Sequence, residues 1–182
     1  MRKIIVSMYM SLDGVIEEPA WTMPYFNEEV AKFQSDLLFD SEALLLGRVT
    51  YEGFAAAWPS MTDEEGFADK MNSMPKYVTS RTLDQAEWNA TLIKSNNVTD
   101  EILKLKQEPG QNLLIYGSSD LVHTLIQEDL IDEYHLIVHP IILGKGKRLF
   151  KDGIDAKNLK LVNSKTTSLG VVILSYQLEK TK

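Results

Sequence analysis

The stretch Leu44-Leu45-Leu46-Gly47-Arg48-Val49-Thr50-Tyr51-Glu52 carries an apolar strand into a glycine turn and then into the start of a helix. A helix N-terminus offers free backbone N–H groups and the positive end of the helix dipole, and both favour phosphate. Gly47 lets a ligand approach the backbone, and Arg48 has the planar fork that grips phosphate oxygens in pairs. The segment reads as an anion site suited to a nucleotide cofactor. Taken alone it fits a strand–helix corner with a solvated arginine equally well, so the rest of the chain has to decide.

The chain has 182 residues, 44% of them hydrophobic, enough for one domain over 1–182 with a sizeable core. Its 26 acidic and 19 basic residues leave a net charge of -7, which gives no electrostatic footprint for nucleic acid. No cysteine is present, so disulfides, thiol catalysis and cysteine-bound metals are excluded, and any redox chemistry needs a bound cofactor. Met1-Arg2-Lys3-Ile4-Ile5-Val6-Ser7 starts like a signal peptide, but Asp13 arrives before a hydrophobic region of the required length. No run approaches the roughly 18 apolar residues of a membrane helix, so no membrane association and a cytoplasmic location are expected.

Strands are expected over 4–10, 43–46, 75–80, 90–94, 113–116, 133–142, 159–167 and 171–178, from β-branched and apolar runs bounded by turn residues. Helices are expected over 27–39, 50–57, 99–107 and 120–127, with residues 17–25 as a loop. Strand, glycine turn and helix recur until about residue 140, and strands alone follow. That order predicts an α/β fold with helices on both faces of a mixed, mainly parallel sheet that ends in an antiparallel C-terminal edge.

Four turns fall at the C-terminal ends of these strands: Leu12-Asp13-Gly14, Gly47-Arg48-Val49-Thr50, Ser80-Arg81-Thr82 and Gly117-Ser118-Ser119-Asp120. Ligands bind along that edge in open α/β sheets. Two of the turns open helices and suit a pyrophosphate, while Ser80 and Arg81 offer a hydroxyl and a fixed cation to a further phosphate monoester, which points to NADPH over NADH. The first strand lacks the G-x-G-x-x-G fingerprint and carries Ser7-Met8-Tyr9-Met10-Ser11 in its place, so this is not a Rossmann site.

In order and type, these motifs resemble the dihydrofolate reductase-like superfamily, and within it the C-terminal reductase domain of the riboflavin-biosynthesis deaminase/reductase RibD. The matching pieces are 10–14, 46–52, Tyr116-Gly117-Ser118-Ser119, and 130–136 continuing through His139-Pro140-Ile141-Ile142-Leu143-Gly144-Lys145-Gly146-Lys147-Arg148-Leu149-Phe150. The resemblance implies a three-layer α/β/α dihydrofolate reductase-like fold, a homodimer, and hydride transfer from NADPH to a small heterocycle. The implied substrate is 5-amino-6-(5-phosphoribosylamino)uracil, with a pterin or a non-catalytic nucleotide-binding role as alternatives. It assigns Gly47, Arg48, Val49 and Thr50 to the phosphates, Ser80 and Arg81 to the 2'-phosphate, and Tyr116, Gly117, Ser118, Ser119, Asp120 and Leu121 to the pyrophosphate turn. Leu12 and Gly14, with Asp13 between them, are assigned to the nicotinamide end.

Folate reductases carry an acid early in the first helix to assist protonation. Ungapped counting places that position near Ala31, and Glu29 is the nearest carboxylate bordering the apolar face; Glu29 and Asp13 are therefore the catalytic candidates. Glu29 also fits a solvated first-turn residue, and Asp13 fits the turn itself. Trp21, Phe26 and Trp58 are candidate flat walls for a heterocycle. His135 and His139 share a strand face, but no third ligand accompanies them, so no metal is expected. The basic cluster Lys145, Lys147, Arg148 and Lys151 suits either a substrate phosphate or a solvated loop.

Overall fold

In a computed structural model, which describes residues 1–94 and 96–180, the apolar run after Lys3 forms β1 (Ile4–Ser11). β1 lies in an eight-stranded sheet between β5 (Asn112–Gly117) and β6 (Glu133–His139), parallel to both. A strand covered on both faces has to be apolar nearly throughout. Ile4, Val6 and Met8 pack into one core, and Ile5 packs into the core on the other side.

The chain leaves β1 through α1 (Glu28–Phe39), β2 (Ser41–Gly47), α2 (Arg48–Ala57), α3 (Phe67–Ser73), β3 (Lys76–Thr79) and β4 (Ala90–Ile93). It returns through α4 (Val98–Gln107), β5 and α5 (Ser119–Gln127) to β6, and ends in β7 (Leu159–Thr166) and β8 (Val172–Leu178). The strand order is β4-β3-β2-β5-β1-β6-β8-β7, parallel from β4 to β6 and antiparallel across β6-β8-β7. Leu38, Tyr51 and Met71 place α1, α2 and α3 on one face with Ile5, Leu44 and Leu114. Ile102, Val122 and Leu125 place α4 and α5 on the other with Ile4, Ala43 and Leu113. The result is the expected three-layer, mainly parallel architecture with an antiparallel edge. Among the described residues no helix is long and apolar enough to cross a membrane.

Local differences from the sequence expectation have local causes. Residues 19–25 form a 3-10 helix instead of a loop, because Pro19 suits a helix start and Thr22 Oγ1 donates to the Pro19 carbonyl at 2.6 Å. α3 was not expected at seven residues, and it exists because the Asp63 carboxylate accepts from Phe67 N and Ala68 N while Ala68 and Met71 are buried. α2 begins at Arg48, two residues earlier than expected, so Arg48 belongs to its first turn. β6 stops at His139, since Pro140 brings no N–H to continue the ladder.

Candidate active site

A cavity of about 1390 Å³ runs along the C-terminal ends of the parallel strands. That exceeds the roughly 300–1,000 Å³ of a single small-ligand pocket and leaves room for a cofactor and a second molecule. Residues 47–50, Ser80, Arg81 and residues 116–121 all line it, so three of the four turns meet in one space. Asn96, Val98 and Thr99 at the start of α4 line it as well. That contribution was missed, although Asn97, which accepts from Asp100 N at 3.2 Å, is a readable N-cap.

Backbone contact builds this end. Gly47 precedes α2 and contributes no side-chain cap, so among the described residues the first N–H groups of α2 have no side-chain cap. A Cβ on Gly47 would stand 2.7 Å from Ser118 Cβ and 3.0 Å from Ser118 N, which brings the β2 and β5 turns into direct apposition. A Cβ on Gly117, whose φ is +156°, would collide with Thr50 Oγ1, and the Gly117–Ser118 peptide is cis. Ser118 Oγ caps α5 by accepting from Leu121 N at 3.3 Å. The Arg48 guanidinium donates to Glu52 at 3.0 Å across one turn of an exposed helix surface. Such a pair is weak and can be exchanged for an anion. Asp120 pairs with Lys151, and Ser80 Oγ accepts from Thr82 N and Leu83 N at 3.2 and 3.1 Å. These features fit a phosphate-bearing nucleotide cofactor: an uncapped helix start at α2, a close backbone approach and two arginines at the rim.

Side chains build the floor. Ser7 and Gln34 are buried, and Ser7 Oγ donates to Gln34 Oε1 at 2.9 Å. Burial raises the pKa of Tyr9, partly offset by a hydrogen bond from Gln34. Burial pushes Tyr116 up far more, and its hydroxyl has no partner among the described residues. All four residues line the cavity. Sequence reasoning missed Ser7, Tyr9 and Gln34 as site residues. The signal was present in Gln34, a polar residue midway between Val30 and Leu38 on the buried stripe of α1.

Five candidate residues do not reach the cavity lining: Leu12, Asp13, Gly14, Trp21 and Glu29. Asp13 accepts from Ser11 Oγ at 2.6 Å, Gly144 N at 2.8 Å and Leu143 N at 3.1 Å. These donors, the Ser11 hydroxyl foremost, hold its carboxyl down at about 2. Leu12 N donates to Ile141 O and Leu149 N to Gly14 O, so the Leu12-Asp13-Gly14 turn fastens to the 141–149 loop. Glu29 accepts from Ser168 N at 3.0 Å and clamps the β7–β8 turn, which lowers its pKa. Trp21 donates to Glu17 O and packs edge-on against His139, whose centroid is 5.3 Å away. Phe26 and Trp58 do line the cavity. From the basic loop Lys147 reaches the lining, while Arg148 Nε donates to Asp13 O. His139 is buried among Tyr9, Trp21 and Tyr25, with Nδ1 2.9 Å from Ile137 O, and burial lowers its pKa.

A doubly covered, mainly parallel sheet with this strand order and a cavity across its strand ends defines a dihydrofolate reductase-like fold. The chain belongs to the RibD C-terminal domain family, whose model matches residues 2–173. It is 34% identical to the protein YyaP of Bacillus subtilis (strain 168) over 178 residues, which cover 96% of this chain and 94% of YyaP. Among solved structures it resembles a protein from Shewanella sp. PV-4 whose name refers to riboflavin biosynthesis, with a TM-score of 0.80, 24% identity, and 98% and 99% of the two chains covered. It also resembles the dihydrofolate reductase of Enterococcus faecalis complexed with NADP(H), with a TM-score of 0.65, 17% identity, and 98% and 97% covered.

Proposed function

We propose that this protein is an NADPH-dependent reductase that passes a hydride to an electron-poor carbon of a small heterocycle. The observation that carries the reading is the meeting of three phosphate-type turns, 47–50, 80–81 and 116–121, around one cavity. Bound there, the nicotinamide would supply the hydride. The start of α2 and Arg48 would hold phosphate through N–H groups and charge, Ser80 and Arg81 would take the 2'-phosphate, and residues 117–121 the pyrophosphate. The walls from Phe26 and Trp58 would exclude water from a flat ring.

Membership of the RibD C-terminal domain family favours a pyrimidine acceptor like 5-amino-6-(5-phosphoribosylamino)uracil. Reduction of a pterin is disfavoured by the floor itself, because α1 lines the cavity with Ala31, Gln34 and Ser35 and, among the described residues, with no carboxylate. A cytoplasmic homodimer completes the proposal.

Titration of NADPH and NADH against wild type and Arg81→Ala tests the cofactor. Wild type is expected to prefer NADPH, and Arg81→Ala to lose mainly that preference; equal wild-type affinity for the two would remove the 2'-phosphate assignment. NADPH oxidation with the pyrimidine and with dihydrofolate then tests the substrate. Tight NADPH binding with no turnover of either would make the protein a nucleotide-binding module.

A further inference from the structure

The polar residues of the floor form a chain with a direction. Ser7 Oγ donates to Gln34 Oε1 at 2.9 Å, so the Gln34 amide N–H groups are left to donate, and Tyr9, whose pKa the Gln34 side chain lowers, is the tyrosine beside them on the cavity floor. A Gln34 N–H donated to the Tyr9 oxygen leaves the Tyr9 O–H free to give away. Tyr116 stands on the same sheet face, and its buried hydroxyl is unpaired among the described residues. A buried polar group without a partner is costly and calls for one. The carboxylates that line the cavity are Glu17, Glu18, Asp63, Glu65 and Asp120, and none of them comes from β1, α1 or β5. The floor therefore offers hydrogen-bond donors and no fixed charge. It suits an uncharged oxygen that gains negative charge during reaction, and it would leave a cationic ring without a counter-ion.

We propose that Tyr9 and Tyr116 form a two-donor subsite for the carbonyl oxygen of the acceptor molecule, with Tyr9 as proton donor and Gln34 as its positioning residue. Tyr116 pairs when the ligand oxygen seats beside its ring. The proton-transfer part rests on the reductase reading above. When hydride from a reduced nicotinamide forms the new C–H bond, the C=O π pair moves to oxygen and the oxygen takes the Tyr9 proton. The nicotinamide leaves oxidised, and the tyrosinate recovers a proton from water.

The probe is 4-nitrophenol, whose ionised oxygen stands in for the developing oxyanion and whose colour reports its ionisation. Wild type is expected to bind it and to lower its apparent pKa. Tyr9→Phe and Tyr116→Phe should each weaken binding about tenfold and raise that pKa again. Gln34→Leu should also raise it, a readout that a purely structural role would not move. Tyr116→Phe removes an unpaired hydroxyl and should melt above wild type. A Tyr116→Phe protein that melts lower, or two phenylalanine variants that bind the probe as wild type does, would overturn the subsite. NADPH titration of wild type beside these separates the two readings. NADPH binding without a probe response sinks the subsite alone, and a probe response without NADPH binding sinks the reductase while leaving the oxygen site.

Discussion

The two ends of the cavity are made of different materials. At the strand ends, the backbones of β2 and β5 approach so closely that a single added carbon on Gly47 meets Ser118, and helix starts supply the donors. On the floor, the backbone lies under side chains, and Ser7, Tyr9, Gln34 and Tyr116 supply the polar groups. A site made by backbone apposition has little tolerance, because neither neighbouring chain can move without its sheet. A site made by side chains can change its chemistry one residue at a time while the fold stands, which is how one scaffold comes to serve different substrates.

Gly47→Ala should break this contrast most sharply if it is wrong. The new Cβ would lie within 3.0 Å of the Ser118 backbone nitrogen, so the turns have to separate. NADPH affinity is expected to fall roughly 100-fold or more, since displacements near 1 Å are enough for losses of that order. Overpacking should also lower stability by about 1–3 kcal/mol, readable by urea unfolding. Wild-type affinity in Gly47→Ala would mean that the two turns do not hold the cofactor together.

Arg48→Ala comes next. The side chain is exposed and, among the described residues, pairs only with Glu52 across one helical turn, so its removal should leave the fold intact. NADPH and NADH should both weaken roughly tenfold, the loss of one charge-assisted contact. Glu52→Ala should strengthen both slightly, because Arg48 then gives up no partner on binding. A loss confined to NADPH would move Arg48 from the shared phosphates to the 2'-phosphate.

For Gln34 on the floor the effect on cofactor affinity should be smaller, and the loss should fall on stability. Gln34→Leu leaves the buried Ser7 hydroxyl without its acceptor, at a cost of about 1–3 kcal/mol. Adding Ser7→Ala should recover part of it, because a buried pair replaced on both sides is nearly neutral. Additive losses in the double variant would show that the Ser7–Gln34 hydrogen bond is not what holds the floor.

The same contrast governs what the sequence alone makes legible. The strand–glycine–helix turns at Gly47 and Gly117 were legible because backbone geometry leaves its mark in residue type: glycine at the turn, an apolar run before each. The layering was legible from the order of elements, and α3 was not, because seven residues show too little periodicity and its Asp63 cap stands four residues ahead of it. Gln34 was hidden behind Glu29, which also borders the apolar face of α1 but turns toward Ser168 in the hairpin. One sequence cannot tell a polar residue inside an apolar stripe from one at its margin, because a helix's rotation against its sheet is set by packing from elsewhere in the chain.

Asp13 gives the smallest expected effect and a clean separation of roles. A proton donor has to hold its proton at working pH, whereas this carboxyl is held at about 2 by the Ser11 hydroxyl and two backbone N–H groups and is ionised there. Its pKa is lower folded than unfolded, so the stability it contributes is complete above the ordinary value of 3.8 and is lost as pH falls towards 2. Asp13→Asn should therefore flatten the acid limb of a melting-temperature profile below pH 4, and it should leave the pH dependence of NADPH oxidation between 6 and 8 where it was. A shift of that neutral profile would return Asp13 to the chemistry. Its absence would fix Asp13 as the pin between the β1 turn and the Leu143–Gly144 loop, with the proton supplied from the floor.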